Sequence, residues 1–64
     1  MDPTKRSHIS IGTNIKLVLK KDQASGRTCE GVVKNILTKS PTHPHGIKVR
    51  TEAGLVGRVK EILD

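Results

Sequence analysis

The chain contains no phenylalanine, tyrosine or tryptophan. Its interior must therefore be aliphatic, and six valines, six isoleucines and five leucines favour a pleated, β-branched core over a helical one. The same absence bears on function. A methyl-lysine reader needs an aromatic cage and is excluded. Single-strand binders commonly stack bases on aromatic rings, so here a histidine or an arginine guanidinium would have to serve instead. Cysteine is nearly absent too. Cys29 stands alone, which rules out an internal disulfide and a Cys-rich metal site and favours a reducing compartment. No apolar run approaches membrane-spanning length, and Met1-Asp2-Pro3-Thr4-Lys5-Arg6 lacks the apolar stretch of a signal peptide. The expected setting is the cytoplasm, without membrane attachment. Acidic residues are few: 6 Asp and Glu against 12 Lys and Arg leave a net charge of +6. That balance suits a polyanionic partner, although charge governs encounter and solubility rather than fold.

At 64 residues the chain makes one domain, and such a chain buries only about 60% of the surface it exposes when unfolded. Residues 1–8 read as a flexible basic arm with Pro3 and the Lys5-Arg6 pair, and residues 9–64 as the domain. Gly12-Thr13-Asn14 is a turn. Ile15-Lys16-Leu17-Val18-Leu19-Lys20 then alternates, with Ile15, Leu17 and Leu19 on one face and Lys16, Val18 and Lys20 on the other, as in a half-buried strand. A polar connection over 21–27 holds the turn signal Ser25-Gly26. The next strand spans 28–38. If Val33 points inward, strict alternation would also turn Asn35 inward, and a bulge near Asn35 would bring in Ile36 instead.

The stretch Ser40-Pro41-Thr42-His43-Pro44-His45-Gly46 is a stiff loop carrying two of the three histidines, and it leaves the isomer of the His43–Pro44 bond open. It feeds a strand over 46–51 in which Ile47 and Val49 point in and Lys48 and Arg50 point out. Glu52-Ala53-Gly54 is a hairpin connection, and a last strand follows over 55–60. Val56, Val59, Ile62 and Leu63 also fit a helical stripe, which Gly57 weakens by about 1 kcal/mol relative to Ala, so the tail is expected as a strand followed by one short helical turn or a final short strand. Four to five short antiparallel strands with polar turns make an all-β fold, a small SH3-like barrel.

Little here supports a reaction. Zinc needs three or four ligands. His43 and His45 have only His8, Cys29 and scattered carboxylates to join them, none at a recognisable spacing. Cys29 sits inside a strand, where a free thiol is usually a small buried hydrophobe. The carboxylates show no pairing for acid–base work, and the glycines spell no phosphate-cradling loop. The expectation is a protein that is not an enzyme, with no cofactor, no metal and no small-molecule substrate. Period two places Lys48 and Arg50 on one side of their strand and Arg58 and Lys60 on one side of the next, with Lys34 joining them in a meander. Such a strip suits phosphates.

Lys34 to Arg50 as a run, with Val56-Gly57-Arg58-Val59-Lys60, and with Asp22-Gln23 and Ser25-Gly26 ahead of Glu30-Gly31-Val32-Val33, resembles the YwbE family of small uncharacterised microbial proteins. The likeness covers roughly 9–62, its Pro-Thr-His-Pro-His-Gly run is specific, and it implies no established activity. The glycine and valine rhythm also resembles SH3-like barrels of the KOW and Tudor type, an analogy of fold alone. The expected partner is nucleic acid, RNA more than DNA. Lys34, Lys48, Arg50, Arg58 and Lys60 would neutralise phosphates, and His43 and His45 would make the shape-specific contact. The alternative is a protein-interaction module docking a partner at an edge strand or at the 42–46 loop. The working unit is expected to be a monomer.

Overall fold

The computed structural model describes residues 2–22 and 24–63. Met1, Gln23 and Asp64, which fall in the expected arm, connection and tail, lie outside the described residues, as does the side chain of Lys21. Four strands form where period two runs through β-branched residues: β1 (Asn14–Leu19), β2 (Cys29–Ile36), β3 (Lys48–Thr51) and β4 (Val56–Ile62). All neighbours are antiparallel, and β1 pairs with both β2 and β4, closing the sheet into a four-stranded barrel in the order β1-β2-β3-β4. Closure removes the free edges through which an open sheet would pair with other chains. The expected all-β small barrel is thus what forms, with four strands.

One face of each strand fills the interior. Ile15, Leu17, Val33, Ile47, Val49 and Val59 are fully buried, Ile9 joins them from the segment before β1, and Leu19, Cys29, Ile36 and Ile62 pack around this cluster. Thr51 is buried as well, and its hydroxyl accepts the Leu55 N–H at 3.1 Å inside the β3–β4 turn. Four strands enclose a narrow space, so close approach must be bought with glycine. A Cβ on Gly57 would overlap the Val18 carbonyl oxygen and stand 3.2 Å from Leu17 Cδ1, at the seam where β1 meets β4.

Two irregularities keep apolar residues inside. Between β2 and β3 the register shifts between Val33 and Asn35, so that Ile36 pairs with Val49. This is the bulge expected near Asn35, and it leaves Lys34 and Asn35 exposed while Ile36 packs on the core. Between β1 and β4 the register shifts at Lys16/Leu17, so that Lys60 and Glu61 are both exposed and Ile62 lies opposite Ile15. The second bulge also decides between the two readings of the tail, in favour of the strand. No helical turn follows the last strand among the described residues, because the bulge seats Ile62 against the barrel in strand geometry. The helical turns present are two three-residue 3₁₀ segments, Arg6–His8 and Lys20–Asp22.

Residues 2–8 run beside the histidine loop. Lys5 bridges to Thr42, the Arg6 N–H donates to the Pro41 carbonyl at 2.8 Å, the His43 N–H to Thr4 at 2.9 Å, and the Ile47 N–H to Pro3 at 3.0 Å. Pro3 to Arg6, within the segment read as a flexible basic arm, are thus joined to the loop that precedes β3. Within that segment, Asp2 Oδ1 accepts both the hydroxyl and the N–H of Thr4, and these bonds hold its carboxyl below the usual value of 3.8. Among the described residues no helix is long and apolar enough to cross a membrane.

Candidate nucleic-acid interface

The outward faces of the strands carry the charges, and register decides which meet. Lys16 lies opposite Glu30 on β2 and Glu61 on β4, with Nζ 3.6 Å from the Glu61 carboxylate. Further along the same face the pattern changes. Val18 on β1 lies opposite Arg58 on β4, which lies opposite Lys48 on β3. Lys60 follows two residues after Arg58, and Lys20 two after Val18. No carboxylate interrupts this region.

These residues line one groove of 960 Å³, with Val18, Val56 and Gly57 at the sheet, Lys48, Arg58 and Lys60 projecting from β3 and β4, Lys20, Gly26 and Thr28 contributed by the β1–β2 connection, and His45 by the loop. Val18 is covered by its neighbours although it lies on the outward face. It points away from the barrel interior, between inward-facing Leu17 and Leu19, yet only 3% of it is exposed. Among the described residues the one ion pair is Lys16–Glu61, so the groove's cations are not neutralised by a neighbouring carboxylate. Outward lysines at such separations repel one another mildly in water, and an anion in the groove would relieve that repulsion.

The loop is fastened to the barrel by backbone and by one guanidinium. Gly46 has φ of +99° and is buried against β4, where a Cβ would overlap the Val59 carbonyl oxygen. Only glycine reconciles that backbone with that approach. Arg58 Nη1 donates to the Gly46 carbonyl at 3.1 Å and lies 3.4 Å from His43 Nδ1. The same Nδ1 accepts the His45 N–H at 3.2 Å. With Nδ1 an acceptor, neutral His43 carries its proton on Nε2. Desolvation under the loop, then the Arg58 charge and His45, hold His43 below the usual histidine value of 6.5. The His43–Pro44 bond is trans, and the two imidazole rings are 5.8 Å apart and tilted by 48°.

The residues singled out from sequence are therefore divided. His45, Lys48, Arg58 and Lys60 come together at the groove, and His43 stands behind them as a partner of Arg58. Arg50, opposite Val56 and Asn35, is exposed on the same sheet but outside the groove, and Lys34 lies at the β2 bulge beyond it. Lys20 and Thr28 line the groove and were not among the expected contacts. The outward position of Lys20 was readable from alternation, but its nearness to Arg58 depends on β1 closing against β4. Among the described residues no three His, Cys, Asp or Glu side chains converge to hold a metal ion.

Comparison with known proteins agrees with the resemblance carried by the loop. A family model described as "Uncharacterized conserved protein (DUF2196)" matches residues 2–62. The uncharacterized protein YwbE of Bacillus subtilis (strain 168) is 51% identical over 63 residues, covering 98% of this chain and 97% of that protein. No solved structure matches the chain. Matched over nearly its whole length by both, the chain belongs to the DUF2196 family, that of YwbE.

Proposed function

We propose that this protein is a non-enzymatic binding module for nucleic acid, RNA rather than DNA, acting as a soluble monomer in the cytoplasm. The observation behind it is charge segregation on one small barrel. Lys16 is matched with carboxylates on both neighbouring strands, whereas Lys20, Lys48, Arg58 and Lys60 share a groove lined by no carboxylate. An ordinary solvated face would intersperse the two signs, and a phosphate backbone is the common polyanion that rewards such a strip. RNA is favoured because reading B-DNA in its major groove takes an α-helix or a two-stranded ribbon. The described residues offer no helix longer than three residues, and every strand is paired on both sides. Arg50 and Lys34 extend the positive surface beyond the groove, and His45 offers an exposed ring for contact with a base.

A protein partner remains the competing class. Closure leaves no strand edge for it among the four strands, so it would have to dock on the 42–46 loop.

The test is a titration with labelled RNA at about 50 and about 200 mM salt, since log K should fall with log salt by about 0.7 per phosphate neutralised on a single strand. Lys48→Ala and Lys60→Ala should each weaken binding and reduce that slope by about 0.7, and Lys16→Ala should change neither. Binding that ignores salt, or no binding in low salt, rejects the proposal. Recovery of one specific protein in place of RNA would favour the loop-docking alternative.

A further inference from the structure

The groove's form selects among nucleic acids. We infer that it accepts an unpaired strand, a loop, bulge or single-stranded end, and holds a duplex off. This rests on the nucleic-acid reading above and adds the ligand's strandedness. The Val18–Arg58–Lys48 row crosses three adjacent strands, β1, β4 and β3. With neighbouring strands about 4.8 Å apart, its width is about 10 Å. The β1–β2 connection adds Lys20, Gly26 and Thr28 to the lining, and the loop before β3 adds His45.

One sugar–phosphate backbone fits such a trough with phosphates against Lys48, Lys60 and Lys20. In an A-form RNA duplex the bases are paired and stacked between two backbones, with a deep, narrow major groove and a wide, shallow minor groove, so a duplex can set one backbone on the rim but cannot lower its paired bases into the recess. The lining is not wholly polar either. Val18, Val56 and the aliphatic stems of the lysines face the space, and lysine stems commonly cover apolar surface in this way. A base or ribose that enters finds apolar contact there, and His45 and the Arg58 guanidinium are planar groups on which a base can stack without an aromatic side chain.

Arg58 has a double part. Its Nη1 is occupied by the Gly46 carbonyl, so one edge of the guanidinium positions the loop while the group as a whole lines the groove. The loop and the phosphate-binding face are therefore set by the same side chain.

A bare cationic surface gives the opposite preference, which makes the inference testable. Duplexes carry the higher charge density, with a salt slope of about 0.9 per phosphate against about 0.7 for single strands. The experiment measures anisotropy of a labelled single-stranded RNA of about eight nucleotides, within the span of single-strand sites on small barrels, alone and annealed to its complement. The full chain is used at one fixed salt concentration.

The single strand should bind at least about tenfold more tightly than the duplex, a ratio worth about 1.4 kcal/mol. Thr28→Leu narrows the groove without changing its charge and without adding a ring on which a base could stack. It should weaken single-strand binding and leave duplex binding alone, with the folded state verified by circular dichroism. Equal or tighter binding of the duplex overturns the inference and leaves the nucleic-acid reading standing. So does displacement of the strand by a nucleoside monophosphate at matched concentration, because the groove would then be a mononucleotide site. Failure to bind either RNA removes both.

Discussion

Replacing Gly46 with alanine should damage this protein more than the same change at any exposed turn glycine. Gly46 has φ of +99°, and an L-residue forced into positive φ loses roughly 1–2 kcal/mol. The added Cβ would also overlap the Val59 carbonyl oxygen, with the Val59 carbonyl carbon 3.4 Å away. That carbonyl belongs to a residue whose own N–H donates to Ile47 at 2.9 Å, so β4 cannot retreat without loosening the start of β3. Overpacking of this kind costs typically about 1–3 kcal/mol. Alanine stiffens the unfolded chain and returns about 0.4–1 kcal/mol, leaving a net loss of about 1–4.5 kcal/mol. A 64-residue domain has about 3–10 kcal/mol in all, and each kcal/mol shifts Tm by about 4–8 °C at this size. The control is Gly54→Ala. Gly54 has φ of +86° but nothing within 4 Å of its missing Cβ, so only the conformational part applies and the net loss is about 1 kcal/mol or less. With no aromatic residue in the chain, intrinsic fluorescence is blind to unfolding. Melting followed by far-ultraviolet circular dichroism is the assay. Equal losses at Gly46 and Gly54 would refute the packing of the loop on β4.

Leu17→Ala removes a fully buried side chain and should cost about 2–5 kcal/mol, read from the urea midpoint. Lys16→Ala breaks a 3.6 Å pair whose side chains are 40% and 60% exposed, so the midpoint should move by less than about 1 kcal/mol. Acidification should destabilise the fold through His43. Its folded value lies below 6.5, so below 6.5 the unfolded chain binds more protons; the stabilisation is complete above that value and is lost as pH falls through the lowered one. Asp2 follows the same sign at lower pH, its contribution complete above 3.8 and lost as pH falls through its own lowered value. Tm recorded from about pH 7 to about pH 5 should fall less steeply in His43→Asn than in the natural chain, since a normal histidine titrates near 6.5. Parallel curves would contradict the desolvation of His43 under the loop and its contact with Arg58.

Strand positions were legible because β-branched residues alternate with polar ones, and each of the four strands lies within about two residues of where period two puts it, the usual uncertainty of element ends. Even the Asn35 bulge could be read, since regular pleating would have buried an asparagine and exposed Ile36. The bulge near Lys60 was not legible, because Lys60 and Glu61 are both polar and only the seat of Ile62 against Ile15 reveals it. The groove was half visible. Lys48 and Arg58 could be paired across a short hairpin, but Lys20 and Val18 reach them only through closure of β1 on β4, a contact between chain segments far apart in sequence. Nor could alternation foresee that Arg58 would be shared between the groove and the Gly46 carbonyl. Arg50 shows the converse limit. It points outward on the expected side, yet register carries it beyond the groove, opposite Val56.

The central claim is that the groove end of the charged outer face, and not the end around Lys16, meets a polyanion. Amide chemical-shift mapping of the isotope-labelled chain, with and without an unpaired RNA oligonucleotide, tests it most directly. Shifts gathered on Lys20, Thr28, His45, Lys48, Arg58 and Lys60, with Lys16, Glu30 and Glu61 unmoved, are the predicted result. Shifts centred on Lys16, Glu30 and Glu61, or a spectrum that RNA leaves unchanged, would contradict it.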